Sequence, residues 1–334
     1  MEKVPMLLSI IVPLFNAEQT LAECVNSVLC DNSPDYELIL VNDGSVDASA
    51  RICDAFAAQD TRVVVIHQEN QGLACARNAG LRKASGDYVA HLDSDDFLLA
   101  GWLSKIRGET RAYPDAEAFV WHINQLIDGK VIPETTLFPA TTNPIMTGSE
   151  AFRLLFCTNL GIFWHSVRYV VRRTCILERD LFYRPGVMHE DLDFNPLMVS
   201  KLNGVHLCNS SYYVYRKGHE TASTAKYTFR RCVDMLAITD RWDKYLQTCS
   251  LDEASVQGFR AVLARLLWDA VASMPSFSAG ERDLLYRNAR LQTRLLKEVR
   301  EPPLSACGKR MLLAVSGLKG AAWTLARRRG RRTV

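Results

Sequence analysis

The sequence predicts an α/β fold: a mostly parallel sheet flanked by helices, with a C-terminal helical appendage. Three observations lead there. Over roughly the first hundred residues, short β-branched runs alternate with longer helix-like segments, and strands joined by crossovers of that length pair in parallel. From Thr228 to Val299 the apolar period becomes helical. The chain has 334 residues, 48% of them apolar. That leaves room for one large domain or two ordinary ones, and excludes a disulfide mini-protein, a disordered tail protein and a collagen-like repeat.

Taken in order, Leu8 to Pro13, Glu37 to Asn42, Arg62 to His67 and Asp87 to Leu92 are the strand candidates, separated by helical segments near 18–30, 46–58 and 73–84. In parallel sheets ligands bind beyond the carboxyl ends of the strands, where Asn16, Asp43 and the Asp93 to Asp96 cluster fall. Phe119 to Asn124 and Lys130 to Ile132, joined by Ile-Asp-Gly, predict a hairpin. Pro133 to Thr147 predicts a loop. Extended segments at Val167 to Arg172 and Val205 to Tyr215 flank a helix at Asp191 to Lys201. The predicted organisation is 1–225 as a catalytic domain (1–100 nucleotide-sugar half, 101–225 acceptor half), 226–300 as a helical extension and 301–334 as a basic tail.

The formal net charge of +3 conceals a division. From Gly308 onward there are eight basic residues and no acidic one, so the first 307 residues carry 32 basic against 37 acidic side chains, a net −5. The ten cysteines form no C-x-x-C pair, and Cys24, Cys53, Cys75 and Cys232 fall in apolar-periodic stretches. This predicts buried free thiols in a reducing compartment. Met6 to Phe15 is too short to span a bilayer and lacks a signal-peptide cleavage site, so a cytoplasmic location is expected.

The strongest chemical feature is H-L-D-S-D-D at 91–96, closing the fourth strand. In extended backbone, residues i and i+2 point the same way, so Asp93 and Asp95 present two carboxylates to one side. Such a group calls for a hard cation, Mn²⁺ or Mg²⁺, which also neutralises a departing diphosphate. An isolated D-x-D reads more often as a solvated acidic turn with Asp96 as a helix N-cap, and it is the surrounding motifs that reverse this. A second acidic group, M-H-E-D-L-D-F at 188–194, reads either as a general base or as acids favouring a helix N-terminus. No Ser-His-Asp order, P-loop or H-E-x-x-H is present, and Q-G-L-A-C-A-R-N-A-G lacks the G-x-G-x-x-G of a dinucleotide site.

Upstream of the D-x-D stand S-I-I-V-P-L-F-N-A-E at 9–18, L-I-L-V-N-D-G-S-V-D at 38–47 and Q-E-N-Q-G-L-A-C-A-R-N-A-G at 68–80. Together these motifs resemble the nucleotide-sugar half of the inverting glycosyltransferases of family 2, with the GT-A fold, of the bacterial surface-polysaccharide type. The resemblance is specific over 7–99 and thinner to about 224. It implies transfer of a sugar from a nucleoside diphosphate, a UDP-hexose or UDP-N-acetylhexosamine, to a hydroxyl of a surface-glycan acceptor.

By that resemblance Pro13, Phe15, Asn16 and Glu18 border base and ribose, and Asp43 accepts from the uracil. Read from the residues alone, Asp43 is equally an N-cap. Asn70 and Arg77 match positions near base, ribose and diphosphate, though Arg77 also suits a pair with a surface acid. Asp93 matches the first D-x-D aspartate, near ribose and metal, and Asp95 the direct metal ligand. The 188–194 motif, preceded by V-R-Y-V-V-R-R-T-C-I-L-E-R-D-L-F-Y, resembles the family's E-D motif, implying Asp191 as base and Glu190 as acceptor-positioning group, with the swap open. Y-Y-V-Y-R-K-G-H-E-T-A-S-T at 212–224 resembles a loop that closes over the diphosphate, through Arg216, Lys217 or His219 and Ser223. Trp164 and His165 lie where relatives contact the acceptor.

Between Arg310 and Arg327 lie sixteen residues with one charge, Lys319. At 1.5 Å per residue they reach about 24 Å, short of a span of roughly 30 Å. Their one-faced apolar pattern and the R-R-R-G-R-R that follows predict a helix lying on an anionic membrane surface, or alternatively a solvated tail. Nothing else in the chain favours nucleic acid as a partner. Two other function classes remain open at this level: a nucleotidyltransferase on a related scaffold, and a non-catalytic sugar-nucleotide-binding protein.

Overall fold

The computed structural model describes residues 7–135, 138–139, 143–158, 163–217, 228–292, 295, 320 and 322. His219, Ser223 and the whole amphipathic and basic reading of 308–334, apart from two isolated positions, lie outside them. The described chain forms two compact units, one of residues 1–151 and 162–220, the other of 152–161 and 221–334.

In the first unit, β1 (Leu8–Leu14), β2 (Tyr36–Asp43), β3 (Val63–Gln68) and β4 (Tyr88–His91) form the parallel half of a ten-stranded sheet, in the order β3-β2-β1-β4. β1 is buried along its whole length and β4 at every residue. This is why they read as continuous apolar runs rather than alternating ones. The crossovers are α1 (Leu21–Leu29), α2 (Ser49–Gln59) and α3 (Leu73–Lys83). β5 (Phe97–Leu98) and α4 (Trp102–Ala112) follow.

The sheet then changes direction. β9 (Tyr169–Arg172) pairs antiparallel with both β4 and β6 (Ala118–Ile127). β10 (Val205–Arg216) runs parallel to β6, and its far end pairs antiparallel with β5, Tyr213 opposite Leu98. That return brings the 212–216 segment back to the D-x-D turn. The predicted hairpin forms between β6 and β7 (Lys130–Ile132), turning at Asp128 and Gly129 in the left-handed region. Within the stretch read as a loop, β8 (Ile145–Met146) pairs with the start of β10. Two residues are too few to show a period. The helices α5 (Gly148–Phe152), α6 (Arg173–Glu178) and α7 (Glu190–Ser200) complete the elements before the C-terminal helices.

The second unit is helical: α8 (Phe229–Tyr245), α9 (Glu253–Ser273) and α10 (Ala279–Leu291). Each begins on a side-chain cap, Thr228 accepting from the Arg231 amide, Asp252 from Ser255, and a Ser278/Glu281 capping box. Its aromatic centre packs Phe259 against Phe152 and Trp242, at ring distances of 4.9 and 4.8 Å. The nine described cysteines are free; Cys24, Cys53 and Cys232 are buried as expected, while Cys75 is half-buried. Among the described residues no helix is long and apolar enough to cross a membrane.

Candidate active site

The carboxyl ends of the parallel strands form one rim, and two loops brace each other along it. Asn16, in the left-handed region, accepts from the Val46 amide (2.9 Å), and its own amide donates to Ser45 Oγ (2.9 Å). Glu18 accepts from the Ala48 amide at 2.9 Å. Pro13 is buried within β1, whereas Phe15 and Val46 stand 50% and 88% exposed at the lip. Asn70 is exposed, its main chain passing against Gly44.

Asp43 closes β2 and is buried. Its carboxylate accepts from Gln68 Nε2 (2.6 Å) and from the amides of Gln71 (2.9 Å) and Gly72 (2.8 Å). It does not cap α2, the helix that follows it in sequence. It holds instead the turn that starts α3, where Gly72 takes φ +88°, a value only glycine adopts without strain. Farther along α3, a Cβ on Gly80 would sit 2.3 Å from Ile11, so glycine lets the helix press onto β1.

That close packing buries the next feature. Arg77 is 3% exposed, and its guanidinium donates to Glu190 Oε1 at 2.5 Å and to Asp93 Oδ1 at 3.0 Å. Burial opposes its charge, but Asp93 and Glu190 outweigh burial and hold its pKa above the ordinary value. Asn78 beside it makes a two-way clasp on the backbone of Tyr183, Nδ2 to the carbonyl (2.7 Å) and the amide to Oδ1 (2.8 Å). Tyr183 in turn stacks on Phe194 of α7 at 3.9 Å. In place of one surface acid, Arg77 pairs with two carboxylates, the buried Glu190 and the part-exposed Asp93. Asn78 and Tyr183 were not foreseen; a polar residue on the apolar face of a tightly packed helix was their only signal.

The D-x-D is a turn, not extended chain. The amide of Asp96 donates to the Asp93 carbonyl (3.0 Å), so the strand stops before Asp93 and the alternation argued from extended backbone does not apply. Asp96 is neither solvated nor a helix cap. It is 1% exposed and accepts from Tyr213 Oη (2.5 Å) and the Arg216 amide (2.7 Å). Burial, then Asp93 and Asp95, push its pKa up to about 8. Arg216 lies behind the turn, donating to the Asp95 carbonyl (3.0 Å) and to Glu23 (2.7 Å).

α7 starts at His189, left-handed at φ +63°, and places Glu190 and Asp191 in its first turn. Glu190 faces Arg77. Asp191 accepts from the Leu192 amide (2.7 Å), and its other oxygen lies 4.0 Å from His165 Nδ1. Burial first, and the charge of Glu190 second, push its pKa up to about 7, despite the opposing pull of Arg77. An acid poised there takes a proton readily at neutral pH. Trp164 is tied to the same helix through its carbonyl, which accepts from Asn195.

The donor set at the turn suits a hard divalent cation. Asp93 keeps 34% of its side chain exposed with one oxygen on Arg77, Asp95 stands two residues on, and the carboxylates crowd closely enough to raise Asp96.

Residues 9–166 match the family model described as Glycosyl transferase family 2. The chain is 30% identical over 224 residues to the uncharacterized glycosyltransferase EpsJ of Bacillus subtilis, 66% of this chain and 64% of that protein. It is 28% identical over 216 residues to the cholesterol galactosyltransferase of Borreliella burgdorferi, 61% of this chain and 58% of that protein. The chain spans less than two thirds of these curated relatives. Among solved structures, S. aureus TarS 1-349 in complex with UDP-GlcNAc superposes with a TM-score of 0.70 at 18% identity, covering 98% of this chain and 92% of that one. The mannosyltransferase PcManGT of Pyrobaculum calidifontis, in complex with GDP-Man and Mn²⁺, gives 0.55 at 15%, covering 97% and 88%. Residues 9–166 thus belong to glycosyltransferase family 2, and the superpositions show that the chain has the GT-A-like fold.

Proposed function

We propose that this protein is an inverting glycosyltransferase, moving a sugar from a UDP-hexose or UDP-N-acetylhexosamine to a hydroxyl of a surface-glycan acceptor. The observation that carries the reading is the buried Arg77, whose one guanidinium joins Asp93 of the donor turn to Glu190 of the acceptor-side pair. The donor turn and the helix end that carries the base are thereby set in fixed relation, which is what a single displacement requires.

Asp191 is the base in this reading, because Glu190 is committed to Arg77 while Asp191 is not. Its carboxylate takes the acceptor proton as the hydroxyl attacks, and His165 beside it lines the approach. Asp95 and Asp93 hold the cation. That cation, Mn²⁺ or Mg²⁺, neutralises the leaving diphosphate when bound. Phe15, Asn16, Glu18, Asp43 and Asn70 border the nucleoside, with Asn16, Glu18 and Asp43 acting through the loops they brace. That TarS was solved with UDP-GlcNAc supports the choice of UDP. The acceptor is lipid-linked if the basic end rests on a membrane.

A release assay for UDP and GDP over a panel of nucleotide sugars, with and without added glycan, tests the reading. Acceptor-dependent UDP release supports it. Pyrophosphate release, or tight binding without turnover, favours the nucleotidyltransferase or binding-protein alternatives.

A further inference from the structure

Far along β10 from the carboxylate turn, three side chains of different chemistry converge. His206 and Cys208 are two apart on a strand and so share a face, and Glu109 reaches them from α4. One potential ligand atom of each lies within 4.8 Å of the other two. His206 Nε2 is 3.3 Å from the Glu109 carboxylate.

The imidazole is fixed in orientation and tautomer. Its Nδ1 lies 2.7 Å from the Pro144 carbonyl, which can only accept, so Nδ1 carries a proton. Nε2 is thereby left to face the Glu109 carboxylate and the Cys208 sulfur. A nitrogen, an oxygen and a sulfur, each a potential ligand atom, converge on one point. A carbonyl behind the second ring nitrogen is also how metal-bound histidines are oriented. Tyr113 stacks on the ring at 3.8 Å, holding its plane. Glu109 and Tyr113 line an open cavity of about 430 Å³, which gives solvent a route to a fourth position.

We propose that Glu109, His206 and Cys208 form a second cation site, of the type that takes Zn²⁺. One sulfur, one nitrogen and one oxygen favour Zn²⁺ over the hard cations suited to Asp93 and Asp95. A tetrahedral Zn²⁺ needs ligand atoms about 3.3–3.8 Å apart, a small contraction of the present cluster. Burial and Glu109 hold the Cys208 thiol in its protonated form. Binding therefore displaces that proton to solvent as the thiolate–metal bond forms. Cys208 and Arg216 pair with Trp121 and Leu126, five residues apart on β6, so about 17 Å of strand separates the cluster from the turn, and the metal acts as a clip between α4 and the start of β10.

Chelator-stripped full chain titrated with Co²⁺ reads the site directly. The expected result is a thiolate-to-cobalt charge-transfer band at about one equivalent, displaced by Zn²⁺. It persists in Asp95→Ala and vanishes in Cys208→Ser. His206→Gln and Glu109→Gln each weaken Zn²⁺ binding at least about tenfold. Absence of the band in the unaltered chain, or its survival in Cys208→Ser, overturns the proposal and shows His206 and Glu109 to be an ion pair only. If Cys208→Ser fails to fold, Glu109→Gln at the cavity wall decides: unchanged Zn²⁺ affinity there is equally fatal. Donor-dependent UDP release is scored separately, so failure of the catalytic reading leaves this result interpretable.

Discussion

Arg77 on α3 and Glu190 on α7 stand 113 positions apart in sequence and are joined by a buried charge-assisted hydrogen bond, with Asp93 on the guanidinium's other nitrogen. Removing the cation leaves the buried Glu190 carboxylate without its counter-charge and releases the part-exposed Asp93. Arg77→Met is expected to cost about 3–5 kcal/mol of stability and to abolish transfer. Arg77→Lys restores the charge but not a fork that reaches two acids. Denaturant melts and initial rates check both. Near-normal activity in the lysine variant would reject the bridging role.

Asp191 gives the reaction its pH dependence. A base with a pKa of about 7 requires that kcat/KM rise with pH through about 7 and level above it. Glu190→Gln removes the second contribution to that elevation and moves the midpoint down. For stability the sign is opposite. Its folded pKa lies above the unfolded value near 3.9, so its contribution is complete below about 4 and is lost as pH rises through about 7. Asp191→Asn should accordingly abolish turnover, leave UDP binding nearly intact and raise the melting temperature at pH 8 by a few degrees, about 1 kcal/mol.

The cation reading is tested without turnover. Asp95→Ala should lose Mn²⁺-dependent UDP binding in calorimetry. Excess chelator should reduce the unaltered chain to the same weak affinity. Equal UDP affinity with and without Mn²⁺ would remove Asp95 from the metal-binding role.

Asp43 spends its oxygens on Gln68, Gln71 and Gly72. Asp43→Ala strands two amides at the start of α3, with an expected loss of about 1–3 kcal/mol. Because α3 carries Arg77, transfer should fall as well as UDP affinity. A change in UDP affinity alone, with unaltered stability, would point to direct contact with the base.

Tyr213→Phe takes the hydroxyl from Asp96, which then keeps only the Arg216 amide. The expected cost is about 1–3 kcal/mol, with weaker Mn²⁺ affinity because the turn loses one of its anchors to β10. A thermal melt and a Mn²⁺ titration of the same sample separate the two effects.

Local pattern determined much of this protein. The apolar runs of β1 to β4 and the helical spacing of α1 to α3 and α8 to α10 are set by neighbours in sequence, so their period is visible there. The D-x-D and E-D motifs were visible for the same reason, as short groups of acids at strand and helix ends. Tertiary structure decided how those groups are used. It closed Asp93 to Asp96 into a turn and turned Asp43 toward α3. It placed Arg216 behind the acids and gave Arg77 to Glu190 and Asp93 together. Each of these is a contact between residues at least sixteen positions apart, or a backbone reversal enforced by one. A burial pattern records only that a side chain is covered. The choice among covering partners, and hence which carboxylate is left to take a proton, is made only when the strands pair and α3 presses onto the sheet.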